Sequence, residues 1–207
     1  HMLAHFFSSF YNQLLHTQAI EFIAAITGII SVLYSRKAHV YTYPIGLIST
    51  LSYIIICLQG SLFGESIVNL FYSIMGVYGW YHWKSKSKIE DALPIRYSTK
   101  KQLLQQLLLF GSLFLLFFCS LTLLKNYFSP DTIPFADALA SAAAFTGMYL
   151  MTQKKVESWY WWLLTNVVCI PLYYVKGYAF TSVQYGVFTI LTFYGLKSWK
   201  QYAEKQV

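Results

Sequence analysis

Two polar constellations stand out in a chain with few polar groups. Glu65, Asn69 and Tyr72 are spaced i, i+4, i+7, so on a helix they share one face, which runs on to Gly76. Trp159, Trp162 and Asn166 are spaced i, i+3, i+7. Indole faces attract cations and stack on flat rings, and a carboxamide both donates and accepts hydrogen bonds. Together these groups suit a planar, polar, cationic aromatic ligand. Each set also has a plainer reading: hydrogen-bonded glue between helices, with Trp159 interfacial and Glu65 solvated. Gln184, beside Tyr185, and Ser49 are weaker members of the same candidate binding set. Glu21 and Asp137 open helices, where acids are favourable without any further role.

Other chemistry is missing. The chain has no HExxH, GxSxG, P-loop or GxGxxG motif, and no nucleophile–base or metal-ligand constellation. No enzyme activity, catalytic residue, metal or cofactor is expected. Cys57, Cys119 and Cys169 lie in apolar runs without CxxC spacing and read as buried, reduced packing residues. No Lys or Arg falls mid-span and no proton relay is visible, which favours a facilitator over an ion-coupled pump.

The elements that must hold these residues are membrane spans. Of 207 residues, 57% are hydrophobic and only 11% charged, more apolar surface than a soluble fold of this length hides. A span needs ~20 mostly apolar residues. Seven segments qualify: 19–35, 40–59, 63–83, 102–124, 133–152, 157–175 and 179–199. Residues 3–15 are too short to span and read as an interfacial helix. His1 precedes Met2, which reads as the native start, with no secretory leader. Seven spans put 13 of the 15 Lys and Arg on one side, leaving only Lys125 and Lys176 opposite. The positive-inside rule makes the basic side cytoplasmic, with the N-terminus outside and the C-terminus inside. The net charge of +7 therefore points to lipid and not to nucleic acid. Trp80, Trp83 and Trp199 fall at the inner boundaries, as an aromatic belt would.

The chain also repeats itself. Residues 20–60 lie on 137–177 without a gap, which places Ser49 on Asn166. With one residue dropped beyond Gly60, Tyr78-Gly79 meets Tyr194-Gly195 and Trp83 meets Trp199. The organisation expected is an N-terminal segment (1–18), a three-helix repeat (19–83), a basic linker with a lone helix (84–132), a second repeat (133–199) and a tail (200–207). Four crossings separate the repeats, so they are parallel and related by an axis along the membrane normal, an arrangement found in transporters. A seven-span receptor is the competing class; the very short loops and the repeat argue against it.

The stretches YPIGLIS (43–49), LFGESIVNLFYSIMGVYGWYHW (62–83), KVESWYWWLLTN (155–166) and KGYAFTSVQYGVFTILTFYGLKSW (176–199) resemble the PnuC vitamin transporters. Most specific are E-x-W-x-x-W-x-x-x-N from Glu157 to Asn166 and the YGW-x-x-W end of the third span. The resemblance covers about residues 19–199. It implies an all-α protein of the bacterial inner membrane with seven transmembrane helices in a full-length SWEET-like 3+1+3 arrangement. It implies a vitamin bound between the repeats by Trp159, Trp162 and Asn166, with Asn69 and Tyr72 opposite, and trapping by a separate cytoplasmic vitamin kinase. Some riboside transporters of the family carry Gln at the place of Asn69 and Asn at that of Ser49, and relatives differing here are associated with thiamine. Nicotinamide riboside is the favoured ligand and thiamine the alternative. Homo-oligomerisation is left open.

Overall fold

The computed structural model describes residues 11, 19–59, 63–86, 93–123 and 132–205. The interfacial helix expected over 3–15 lies, Tyr11 apart, outside them. The described residues form α1 (Ala19–Arg36), α2 (Thr42–Gln59), α3 (Phe63–Lys86), α4 (Lys100–Leu123), α5 (Pro134–Thr152), α6 (Ser158–Val175) and α7 (Ala179–Glu204). These are the seven expected spans, with ends within a few residues of the hydropathy boundaries.

Local chemistry sets several of those ends. Thr99 and Gln102 form a reciprocal capping box at the start of α4: the Gln102 amide N–H donates to Thr99 Oγ1 at 3.3 Å, and the Thr99 N–H donates to Gln102 Oε1 at 3.0 Å. Pro134 opens α5, where its missing N–H costs nothing, and the Ile133 N–H donates to Asp137 Oδ2 at 2.7 Å. The α1–α2 and α5–α6 turns are twins. Each passes through one left-handed residue, Ala38 or Lys154, both at φ 51°. The Tyr34 carbonyl accepts from Lys37 and His39 as the Leu150 carbonyl accepts from Gln153 and Lys155.

Helices α1, α2 and α3 pack in sequence, as do α5, α6 and α7. Across the halves α1 meets α7 and α3 meets α5, so six helices close a ring, with α4 outside against α5. Exchanging the halves maps one cross-contact onto the other, as a two-fold axis along the helices requires. The outward faces are apolar (Ile23, Ile55, Ile74, Leu108, Leu116, Ile190), all exposed, while buried Ser49, Thr146, Thr165, Asn166, Gln184 and Thr192 lie inside. Apolar outside and polar inside is the arrangement lipid demands. Among the described residues, α1, α2 and α4 are long and apolar enough to cross a membrane on length and hydropathy alone. The other four carry most of the polar and aromatic side chains that the ring encloses.

The structure corrects the internal alignment. Turns, helix starts and close packing match at one constant offset of 116 residues, with Ala38 on Lys154, Thr42 on Ser158, Gly79 on Gly195 and Trp83 on Trp199. The register read over 20–60 is one residue too long. Ser49 therefore matches Thr165 and not Asn166, and the contacts agree. Ser49 Oγ donates to the Ala24 carbonyl at 2.7 Å, and Thr165 Oγ1, which donates to the Trp161 carbonyl at 3.0 Å, lies 3.4 Å from the Ala140 carbonyl.

Candidate functional site

The interior of the ring is layered along its axis. At the end that carries the two turns lies an aromatic plug. The Tyr43 ring packs edge-on against Trp83 at 4.9 Å, and Trp159 edge-on against Trp199 at 5.5 Å. Trp83 and Trp199 meet at 6.3 Å. Each half keys an aromatic ring into a glycine notch. A Cβ on Gly79 would overlap the Tyr43 ring, and one on Gly195 would overlap Trp159. Each half also bonds the other: Trp83 Nε1 donates to the Thr152 carbonyl at 3.0 Å and Trp199 Nε1 to the Ser35 carbonyl at 2.9 Å. Two donors in the plug, the Tyr43 hydroxyl and Trp159 Nε1, have no hydrogen-bond partner among the described residues. Lys154 stands over the Trp83 ring at 4.6 Å, and burial holds its ammonium below the ordinary lysine value.

This layer changes three readings. Trp83 and Trp199, expected in an aromatic belt, are 4% and 0% exposed; they are core residues that join the halves. Trp159, expected to stack a ligand, is 1% exposed and closed in by Gly195 and Trp199. It offers no open ring face in this conformation, because the first turn of α6 lies under α7.

One turn further in, Trp162 reaches from α6 to Tyr72 on α3, with ring centroids 6.0 Å apart and planes 48° apart. Phe145 of α5 supports Tyr72 at 6.2 Å and stacks on Phe71 at 3.7 Å. Asn166, a turn beyond Trp162, is buried, and its Nδ2 donates to Thr192 Oγ1 of α7 at 3.0 Å. Trp162, Tyr72 and Asn166 thus come together in mid-ring, with Thr192 as a member that sequence reasoning missed. Its position, eight residues after Gln184 on the same helix, carries no signal until α6 and α7 are docked.

The remaining candidates lie elsewhere. Gln184 is buried, and its Oε1 accepts from the Tyr53 hydroxyl of α2 at 3.0 Å. It is eight residues from Thr192, about 12 Å along the helix, so it belongs to a layer further from the plug. Tyr173 and Tyr185, stacked at 5.4 Å, share that layer; Tyr173 was missed, and Tyr185 was noted only as the neighbour of Gln184. Asn69 spends its Nδ2 on the Glu65 carbonyl one turn back, at 2.9 Å. Glu65 is half-buried a further turn out. Ser49 is a clasp between α1 and α2 and not part of the mid-ring layer, since its proton goes to Ala24 and its hydroxyl fills the space beside Gly28.

Glu157, which heads the tryptophan motif, faces away from the interior. Its carboxylate accepts from the Ser98 N–H and the Ser98 hydroxyl, both at 2.9 Å. Residues 93–99 are held against the α5–α6 turn by this clamp, by a short parallel bridge between Arg96 and Lys155, and by buried Ile95. Trp161 points outward to α4, over Phe110 at 4.8 Å. The cysteines are free; Cys57 and Cys169 are buried as expected, but Cys119 is exposed on α4, where its outer face meets lipid. Asp137 pairs with Lys176 at 2.7 Å, tying the start of α5 to the end of α6.

Comparison with known proteins agrees with this architecture. The nicotinamide mononucleotide transporter family model matches residues 18–201. The nicotinamide riboside transporter PnuC of Escherichia coli is 24% identical over 201 residues, covering 87% of this chain and 84% of that protein. The riboflavin/roseoflavin transporter RibM of Streptomyces davaonensis is 25% identical over 183 residues, covering 86% and 83%. The crystal structure of the vitamin B3 transporter PnuC superposes with a TM-score of 0.76 at 20% identity, over 100% of this chain and 91% of that one, which establishes the shared fold. The chain is a multi-pass membrane protein that belongs to the PnuC, or nicotinamide mononucleotide transporter, family of vitamin transporters and not to a family of enzymes.

Proposed function

We propose that the protein carries nicotinamide riboside into the cell down its gradient, by alternating access between its two three-helix halves. The observation that carries the reading is the meeting of Trp162 from one half with Tyr72 from the other, one turn from a buried Asn166. Carbon atoms stack at ~3.5 Å, so a flat ring held between these two needs them about 7 Å apart and more nearly parallel. A small rocking of one half on the other supplies that change. Asn166, released from Thr192, then reads the ring's polar edge.

The layer at Gln184, Tyr53, Tyr173 and Tyr185 offers hydroxyl and amide groups for a hydroxylated tail. Two relatives are named for riboside and riboflavin transport, and both ligands join a flat ring to a polyhydroxylated group. Thiamine, an aromatic cation with a single hydroxyl, is the second reading; the departure at Asn69 favours it. Glu65 attracts the cation at the outer mouth. The plug of Tyr43, Trp83, Trp159 and Trp199 is the inner gate, and its opening bares Trp159 to the departing ring. The concentration of basic residues at the plug end supports placing that end in the cytoplasm, where a separate kinase traps the product.

The test is a binding titration of purified protein with nicotinamide riboside, thiamine, riboflavin and nicotinamide. Nicotinamide riboside should bind tightest, and Trp162→Ala and Asn166→Ala should each abolish binding in protein that remains folded. Unchanged affinity in both variants removes the site assignment, and thiamine binding more tightly than the riboside reverses the choice of vitamin.

A further inference from the structure

The two halves are built alike but filled differently. Where α1 crosses α2, Ser31 faces Gly46: a Cβ on Gly46 would stand 2.9 Å from Ser31 Oγ. That hydroxyl donates to the Thr42 carbonyl at 2.8 Å, so the first half has a closed seam at this crossing. At the 116-residue offset, the α5–α6 crossing has the sizes exchanged, with Gly147 in the place of Ser31 and Trp162 in the place of Gly46. A Cβ on Gly147 would lie 3.2 Å from Trp161 Cβ, 3.4 Å from Trp162 Nε1 and 3.5 Å from the Ser158 carbonyl. The Ser158 carbonyl is the counterpart of the Thr42 carbonyl, so a serine at 147 would find its acceptor waiting.

We propose that Gly147 is the positioning residue that seats the Trp162 indole, and so decides which flat ring the carrier accepts. The proposal rests on the reading of Trp162 as the ring platform. Gly147 touches no ligand. It leaves the indole N–H edge a space with no slack, because interiors pack at crystal density. One methyl group there would just touch the indole Nε1, at 3.4 Å, and press harder on Trp161 Cβ, at 3.2 Å, so α6 and the indole it carries must shift by a few tenths of an ångström. Trp161 Cβ cannot yield by itself, since it is fixed to the α6 backbone. The exchange also explains why a pseudo-symmetric carrier would have one ring platform and not two: the first half has glycine where the second has the indole.

Gly147→Ala and Gly147→Ser are the test, read by titration with nicotinamide riboside and, in parallel, thiamine. Both variants should fold, the serine through its bond to the Ser158 carbonyl. Both should weaken binding by about three- to tenfold, the range for a disturbed aromatic pair, and change the ratio of the two affinities. In a Trp162→Phe background, where the smaller ring leaves room and only the Trp161 Cβ contact remains, the same substitutions should have a smaller effect. A loss of affinity as large in that background as in the parent, or unchanged affinity and ratio in both Gly147 variants, overturns the proposal and leaves the platform intact. Unchanged affinity in Trp162→Ala, or a parent protein that binds neither vitamin, refutes the platform itself, and the proposal with it.

Discussion

Replacing Tyr43 with Phe should make the protein more stable and a slower carrier. The hydroxyl of Tyr43 is 2% exposed with its ring, and has no hydrogen-bond partner among the described residues. A buried polar group left unpaired costs ~1–3 kcal/mol. That cost is borne only while the plug is closed, because opening admits water. Phe keeps the ring, its edge-on contact with Trp83 and its seat on Gly79, and removes only the cost. The closed state therefore gains ~1–3 kcal/mol over the open one, which lowers the open fraction by ~5- to 150-fold, a factor of ten for each ~1.4 kcal/mol. In a chain of 207 residues the same gain raises the melting temperature by ~2–4 °C per kcal/mol. The assays are thermal unfolding in detergent and initial uptake of labelled nicotinamide riboside into liposomes. A higher melting temperature with undiminished uptake would refute the gate, since the plug would then not open at Tyr43. A lower melting temperature would refute the premise that the hydroxyl is unsatisfied.

Other substitutions probe the neighbouring layers. Gly195→Ala and Gly79→Ala force a methyl group into Trp159 and Tyr43 respectively; each should destabilise the protein by ~1–3 kcal/mol, as overpacking does, measured by thermal unfolding. Thr192→Val removes the partner of the Asn166 amide and should cost ~1–3 kcal/mol of stability, measured the same way. Glu157→Ala removes both bonds to Ser98; it should increase hydrogen exchange at residues 95–98 while leaving vitamin affinity unchanged, because Glu157 faces the linker and not the interior.

The fold was largely legible in the sequence, since span length and hydropathy depend on residue type alone. The interior was less so. Gly79, Gly195, Trp83 and Trp199 revealed the repeat because their roles demand particular residues: a notch with no side chain, and an indole that reaches the opposite half. The turns hid the register, because the equivalent left-handed positions hold unlike residues, Ala38 and Lys154. Helical spacing put Trp159, Trp162 and Asn166 on one face, and they do share it. Spacing is silent about the neighbour, however, and α7 covers Trp159 while Tyr72 meets Trp162. Similarly, nothing in the string distinguishes a polar group bonded to its own helix, as Asn69 Nδ2 is, or to a neighbouring helix, as Ser49 is, from one aimed at a ligand. Tyr53, Tyr173 and Thr192 escaped notice because they join the set only when α2, α6 and α7 are assembled.

Counterflow in liposomes tests the carrier most directly. Purified protein is reconstituted with unlabelled nicotinamide riboside inside and a trace of labelled riboside outside, with no ion gradient. A facilitator working by alternating access should accumulate the label transiently above its outside concentration, and Trp162→Ala should abolish the overshoot. Label that only equilibrates, or that accumulates solely when an ion gradient is imposed, would contradict the account.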